Sequence, residues 1–147
     1  MLIDGGATHN FIDRKLVERR GLPTEEFEGF TVVVAGGGRM ECTRWIPKLH
    51  ITLGNYLSDD FFVVDVPDTN IVLGVQWLYS IGKYSTNYRT MEMEFQGPDG
   101  RRVVLWGMNT YPPKVVSSQR IEAVLRHQDI EWATECFITS QDQTDLR

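Results

Sequence analysis

Short apolar stretches and alternating positions fill most of the chain up to about residue 107, a pattern typical of a β-rich domain. The alternation is cleanest in residues 48–53, where every second side chain is Leu or Ile and His50 and Thr52 face the other way. Residues 31–35 and 61–64 are apolar runs of strand length. The pattern therefore predicts several strands that bury one face, with His50 on the surface.

Two hairpins are predicted from the turns between these runs. Residues 40–45 form a second strand after 31–35, and the three glycines between them make the hairpin tip. Residues 90–95 alternate with methionine and phenylalanine on one side, and a Gly-Pro-Asp-Gly turn leads into a return strand at 101–106. The methionines are interpreted as core residues rather than as ligands.

A short helix is predicted over residues 14–20. Asp13 is a candidate N-cap, and Gly21 fits the left-handed position that ends a helix. Leu22 would then pack back on Val17. This helix leads the chain away from the turn that precedes it.

A second helix is predicted after Gly74. Val75, Leu78 and Ile81 recur at helical spacing, with Trp77 beside them, and we expect this face to pack on the core. Gly82 would end the helix.

The character of the chain changes after Gly107. Two consecutive prolines at 112–113 indicate a stiff, extended link, residues 118–127 have the spacing of a short amphipathic helix, and 133–138 read as one more strand. We therefore divide the chain into a domain at 1–107 and a connector at 108–147.

Composition narrows the function classes. The chain has 147 residues, which suits one domain with a modest core, and a formal net charge of -5, which argues against a direct nucleic-acid groove. No apolar run reaches the roughly 20 residues of a membrane span, and no secretion signal begins the sequence. The acidic residues at 25, 26 and 28 read as a solvated loop.

The cysteines and histidines give no sign of a metal or a disulfide. Cys42 and Cys136 are far apart and lack a Cys-x-x-Cys spacing, which suggests reduced thiols in an intracellular, cytoplasmic protein. His9, His50 and His127 are scattered without metal-ligand spacing. We expect no metal and no cofactor.

Candidate chemistry lies at the start of the chain, where Asp4 follows the apolar Leu2 and Ile3 and precedes two glycines. Alone, Asp-Gly-Gly is an ordinary turn. Glycines after an aspartate allow close backbone approach and a positive φ. The strand predicted at 71–74 ends in a glycine that would let another backbone pass closely.

Two strings together resemble one known family. Asp4-Gly-Gly-Ala-Thr-His-Asn-Phe11 closely matches the Asp-Ser-Gly-Ala-Thr-His-Asn-Phe string of gypsy-type retrotransposon proteases. Ile71-Val-Leu-Gly-Val-Gln-Trp-Leu78 is similar to their Ile-Leu-Gly-x-x-Trp-Leu segment, and the Gly-rich hairpin lies between the two. The resemblance covers residues 4 to about 106 and implies an all-β, retropepsin-like acid protease fold with short helices. It also implies that 108–147 leads toward a reverse transcriptase region.

The resemblance implies an aspartic endopeptidase that cleaves a polyprotein, in the cytoplasm or within an assembled particle. Asp4 would be the catalytic residue, and because one chain carries one such motif, a homodimer would supply the two carboxylates that activate water on a polypeptide substrate. The implied site has three further parts. It comprises an active-site loop of Gly5, Gly6, Ala7 and Thr8, a substrate-binding flap of Val34, Ala35, Gly36, Gly37 and Gly38, and a loop-supporting strand of Ile71, Val72, Leu73 and Gly74.

The sequence departs from the family pattern in three places. Gly5 stands where the family has Ser or Thr, whose hydroxyl braces the two loops across the dimer axis, and Thr8 is too far along the turn to replace it. Asn70 stands where an Asp is common. Only three residues precede Asp4, so we expect an N-terminally truncated domain that lacks the family's first strands and leaves sheet edges unpaired.

These departures keep two other hypotheses open. A catalytically inactive retropepsin-like module could serve dimerisation or peptide binding, which Gly5 and the short front favour. An unrelated β-rich interaction domain is the third hypothesis. A fold determination separates the third hypothesis from the first two, and a cleavage assay with Asp4→Asn as control separates the first two.

Overall fold

A computed structural model describes residues 1–34, 37–53, 55–107, 130–131 and 136–139. Strands dominate this part of the chain, and two short helices interrupt them. The strands are β1 Leu2–Ile3, β2 Phe11–Asp13, β3 Glu25–Val33, β4 Arg39–Leu53, β5 Asn55–Val64, β6 Ile71–Leu73, β7 Tyr84–Asn87, β8 Glu92–Gln96, β9 Arg102–Trp106, β10 Ile130–Glu131 and β11 Cys136–Thr139, and the helices are α1 Arg14–Arg20 and α2 Val75–Ile81.

The main sheet has the strand order β10-β1-β6-β2-β5-β4-β11, and β3 pairs with β4 off this path. The short strand β6 lies between β1 and β2. It pairs with β1 in parallel, Leu2 opposite Val72, and with β2 antiparallel, Phe11 opposite Val72. The chain therefore leaves β1, forms the loop at residues 4–10, and returns to the sheet on the other side of β6.

The hairpin of β3 and β4 is longer than the sequence indicated. Glu25 and Glu26 are strand residues that pair with Trp45 and Arg44, so the expectation of a solvated loop at the acidic residues was wrong. These side chains are exposed, as a strand with one solvated face allows. The register shifts between Glu26 and Phe30, at a bulge that contains Gly29 with φ +88°.

The burial predicted from the alternation in residues 48–53 is confirmed. Leu49, Ile51 and Leu53 are buried, and His50 and Thr52 are partly exposed. β4 also runs through Pro47, where the register with β5 shifts between Ile46 and Leu49. Proline is tolerated in a strand at such a bulge because its missing N–H leaves no ladder bond unmade there.

A second sheet has the order β7-β8-β9. Its inward face carries Met93 and Phe95 on β8, as predicted, and Phe95 meets the Trp77 ring edge-on with centroids 5.5 Å apart. Met91 does not join this face as a strand residue. It precedes β8 with φ 55° and is only half-buried, which corrects the expected three-residue inward row.

Helix α1 has the predicted bounds, and Gly21 ends it in the left-handed conformation with φ 60° and ψ 36°. The Leu22 N–H donates to the Val17 carbonyl at 3.0 Å, and Leu22 packs on the core, as expected. Asp13 occupies the N-cap position but makes no side-chain cap bond. Its Oδ1 instead accepts the Val66 N–H at 3.0 Å, which ties the helix start to the loop after β5.

Helix α2 also forms where predicted and ends at Gly82. Trp77 is buried, and Leu78 and Ile81 pack on the core cluster from partly buried positions. Val75 is 44% exposed, so its predicted place in the core was wrong. In a helix of two turns, the four apolar residues do not all lie on one face.

Two strands beyond residue 107 join the main sheet. β10 pairs antiparallel with β1, and β11 pairs antiparallel with the end of β4. β1 thus has a neighbour on both sides, which corrects the expectation that the edge beside it is unpaired. The strand predicted at 133–138 is found at Cys136–Thr139, the helix predicted at 118–127 lies outside the described residues, and the division at residue 107 stays a prediction.

In the described part of the chain, no helix has the length and apolar character needed to span a membrane.

Candidate active site

Asp4 stands at the end of β1, beside the last residue of β6. Its N–H donates to the Leu73 carbonyl at 2.9 Å, which continues the β1–β6 pairing by one bond. The sequence order of the two motifs predicted this proximity. This bond fixes the backbone of Asp4. Because the residue is only half-buried, its carboxylate is accessible to solvent or to a partner chain.

The Asp4 carboxylate is oriented by its own loop. Oδ1 accepts the Gly6 N–H at 2.7 Å, and the Asp4 carbonyl accepts the Ala7 N–H at 3.2 Å. A Cβ on Gly6 would lie 3.0 Å from the Asp4 Oδ1, so a side chain at position 6 would crowd this carboxylate. The positive φ expected at the two glycines was wrong: neither Gly5 nor Gly6 lies in the left-handed region.

The second half of the loop is held by the start of α2. The Val75 N–H donates to the Ala7 carbonyl at 2.7 Å, and the Gln76 N–H donates to the Thr8 carbonyl at 3.3 Å. These carbonyls reach the helix because Gly74 has no side chain. A Cβ at Gly74 would lie 2.6 Å from the Ala7 carbonyl oxygen and still closer to that of His9. The expected close backbone approach at Gly74 is confirmed.

Asn10 is a part of the site that the sequence did not single out. It is fully buried, its Oδ1 accepts the Gly74 N–H at 3.1 Å, and its Nδ2 donates to the Asp60 carbonyl at 3.3 Å. One amide thus joins the loop, the start of α2 and β5. The sequence signal that could have identified Asn10 is its position between a polar loop and the apolar strand that follows. An amide that is buried at such a junction must be hydrogen-bonded.

We expect Asn10→Ala to lower the free energy of unfolding by about 1–3 kcal/mol, because it leaves the buried Gly74 N–H and Asp60 carbonyl without this partner. Chemical denaturation measures the change. Asn70→Ala is the matched control, since Asn70 is exposed and its carbonyl bond to the Asp13 N–H does not need the side chain. Equal stability of the two variants would contradict the bracing role of Asn10.

An apolar wall connects the loop with the β3–β4 hairpin. Phe11 and Val72 are buried in it, and Leu2 and Ala7, on either side of the Asp4 turn, pack against the same cluster. The hairpin contributes partly buried apolar side chains to this cluster. They are Phe27, Phe30, Val32 and Met40. The hairpin therefore shares one apolar cluster with the loop that carries Asp4.

His9 lies among aromatic rings at this wall. Its ring centroid is 5.1 Å from that of Phe30 and 5.2 Å from that of Phe62. The Thr8 hydroxyl lies 2.7 Å from His9 Nδ1, so Thr8 has a partner within its own loop. This bond supports the view that Thr8 does not replace the hydroxyl missing at Gly5.

The described part of the predicted flap is a tight hairpin tip. The Val34 N–H donates to the Gly38 carbonyl at 2.8 Å, and the Gly37 N–H donates to the Val34 carbonyl at 3.1 Å. Gly37 has φ +83°, a conformation that favours glycine. Ala35 and Gly36 lie outside the described residues.

The cavity between α1 and β4 is separate from Asp4. It is lined by Arg14, Val17, Leu22, Thr43 and Arg44, among other residues, and by none of the loop residues 4–8. Its two arginines already pair with Asp65 and Glu26.

Among the described residues, no three His, Cys, Asp or Glu side chains cluster in a way that could hold a metal ion. Cys42 is buried, and its Sγ lies 3.5 Å from the Val63 carbonyl. Burial raises the pKa of the Cys42 thiol. This thiol therefore has little nucleophilic thiolate at neutral pH.

The strand arrangement around β6 and the Asp-Gly-Gly loop held against it define a retropepsin-like, all-β protease fold. The family model of the PEG10/RTL1 protease domain matches residues 1–102, and the chain belongs to this family of retropepsin-like domains from Ty3/gypsy-derived proteins. No curated protein matches the chain closely enough to add to this. The aspartic endopeptidase and the catalytically inactive module both fit the family, whereas the unrelated interaction domain does not.

Proposed function

We propose that this chain is an aspartic endopeptidase of a retrotransposon-type polyprotein and that it acts as a homodimer. The observation that carries the proposal is the Asp4 carboxylate. It stands on a loop bonded to β6 on one side and to α2 on the other, and its Oδ1 accepts the Gly6 N–H. A rigid, accessible carboxylate is what activation of water requires.

The need for two chains follows from the composition of the loop. Asp4 is the one carboxylate in residues 4–10, and two are needed to hold a water between them and to share a proton. A two-fold axis beside Asp4 supplies the second from the partner. The apolar wall next to Asp4 then becomes half of a cleft for an extended polypeptide substrate, and the β3–β4 hairpin covers it.

The proposed chemistry predicts that turnover is favoured by acidic pH. Two carboxylates at contact distance share one proton, because both cannot ionise so close together. The ionised group takes a proton from water, and the protonated group polarises the scissile carbonyl. Raising the pH removes the shared proton and with it the activity.

A specific observation favours the alternative of a catalytically inactive dimerisation or peptide-binding module. Gly5 has no hydroxyl with which to bond across the dimer axis, and a Cβ at Gly5 would meet nothing within 4 Å. The position is thus open space in the single chain, with no side chain that fills the bracing role. Cleavage of unstructured peptides by the purified chain, with Asp4→Asn beside it, decides between the two functions.

We expect Gly5→Ser and Gly5→Thr to tighten the dimer and to raise peptide turnover. Neither steric crowding nor a positive φ opposes a side chain at Gly5. Each new hydroxyl contributes about 0.5–1.5 kcal/mol if it bonds between the two loops. Sedimentation gives the dimer dissociation constant, and a fluorogenic peptide gives turnover.

Gly5→Ala is the control for this experiment, since it adds a Cβ without a hydroxyl. An equal gain for Ala and Ser would assign the effect to the unfolded chain, whose entropy any side chain at this position reduces. Unchanged dissociation constant and turnover in folded Ser and Thr variants would mean that Gly5 does not occupy the bracing position.

A further inference from the structure

The two ends of the main sheet are formed by strands that are close in sequence. β10 pairs with β1, where Leu2 is opposite Glu131 and Ile3 is opposite Ile130. β11 pairs with the end of β4, where Cys136 is opposite Leu53 and Thr139 is opposite His50. Only residues 132–135 separate the two strands in the sequence, although they stand at opposite ends of the strand order.

The short segment between β10 and β11 limits how far apart these two strands can lie. Six inter-strand gaps separate β10 from β11 along the sheet, which is about 29 Å in a flat sheet at 4.8 Å per gap. From Glu131 to Cys136 an extended chain covers roughly 18 Å at most. A flat sheet cannot satisfy both distances, so we infer that the sheet curls and brings β10 and β11 within this reach of each other.

We propose that β10 and β11 of the same chain close this curled sheet in cis, β10 on the edge of β1 and β11 on the edge of β4. The folded unit then extends to Thr139, beyond both the family match and the expected boundary at residue 107. Open strand edges are sites of association with other chains, and the closure removes two of them. The proposal does not depend on Asp4 being catalytic.

A native cysteine allows a direct test in the full-length chain. Cys136 and Leu53 are direct cross-strand partners, and residues in such positions have Cα atoms about 4.5–5.5 Å apart, within the range that a disulfide spans. Leu53→Cys should therefore form a disulfide with Cys136 under mild oxidation at low protein concentration. Peptide mass mapping identifies the bond, and non-reducing electrophoresis shows whether it lies within one chain.

Thr52→Cys is the matched control. Position 52 is opposite Phe137, and its side chain lies on the face of the sheet opposite to that of residue 53. The buried Cys42, with its raised pKa, does not compete for the bond. A disulfide within one chain between Cys136 and the thiol introduced by Leu53→Cys, with little crosslinking in Thr52→Cys, supports the closure. Absence of this bond, equal crosslinking in the control, or a bond between two chains would overturn closure in cis.

Proline substitutions test the same pairing where Leu53→Cys fails to fold. Successive N–H groups of a strand point in opposite directions, so either Phe137→Pro or Ile138→Pro removes a bond to β4. That variant should lower Tm by about 2–8 °C, and Gln141→Pro, beyond the strand, should not. Unchanged Tm in both strand variants would contradict a structural role for β11.

Discussion

Asp4→Asn should reduce peptide turnover by roughly 10²–10⁴-fold while the protein stays folded, because an amide cannot take up a proton from water as a carboxylate does. The folded structure should persist, since the Asn oxygen can still accept the Gly6 N–H that now bonds Asp4 Oδ1 at 2.7 Å. Initial rates on a fluorogenic peptide measure the loss, and circular dichroism and Tm report on the fold.

The control for this variant is Asp68→Asn. Asp68 is exposed in the loop after β5 and has φ 61°, a conformation that asparagine also adopts readily. We expect its turnover to equal that of the parent. If Asp4→Asn retained full activity, the catalytic role of Asp4 would be wrong, and any cleavage would come from another group or a contaminant.

Gly74→Ala should have the largest effect on stability, lowering the free energy of unfolding by about 3 kcal/mol or more. The added Cβ would lie 2.6 Å from the Ala7 carbonyl oxygen and nearer to that of His9, and backbone atoms cannot move aside as a flexible side chain can. The loop must therefore separate from α2, which displaces Asp4 as well. Denaturant unfolding and peptide turnover should fall together.

Gly5→Ala is the matched control for the Gly74 variant. It makes the same substitution in the loop that packs against Gly74, at a position where a Cβ meets nothing within 4 Å and φ is not positive. Its stability should stay within about 1 kcal/mol of the parent or rise slightly. A Gly74→Ala protein as stable as Gly5→Ala would contradict the tight packing of the loop against the start of α2.

Sequence patterns predicted the elements that are determined by residues close together in the chain. Gly21 ended α1 because the left-handed conformation is a property of that residue, and the alternation at 48–53 marked the buried face because side chains of a strand alternate. The contact of Asp4 with Leu73 was predicted from motif order, through a family resemblance rather than through periodicity.

The features that sequence reasoning missed depend on distant partners. Glu25 and Glu26 extend β3 because Trp45 and Arg44 lie opposite them, although acidic residues have low strand propensity. Asn10 is buried because Gly74 and Asp60 supply its bonds, and neither is near it in sequence. The pairing of β10 with β1 joins residues more than a hundred positions apart, which no local pattern encodes.

The central claim is that two copies of Asp4, one from each chain, form the active site, and subunit mixing tests it most directly. Increasing amounts of Asp4→Asn protein are added to a fixed amount of the parent chain, near the dimer dissociation constant, and peptide turnover is measured after exchange. The dimer account predicts that the parent chain gains specific activity when more parent is added and loses it when Asp4→Asn is added, because mixed dimers have one carboxylate. Turnover per parent chain that stays constant in both titrations, in samples proven to exchange subunits, would contradict the account.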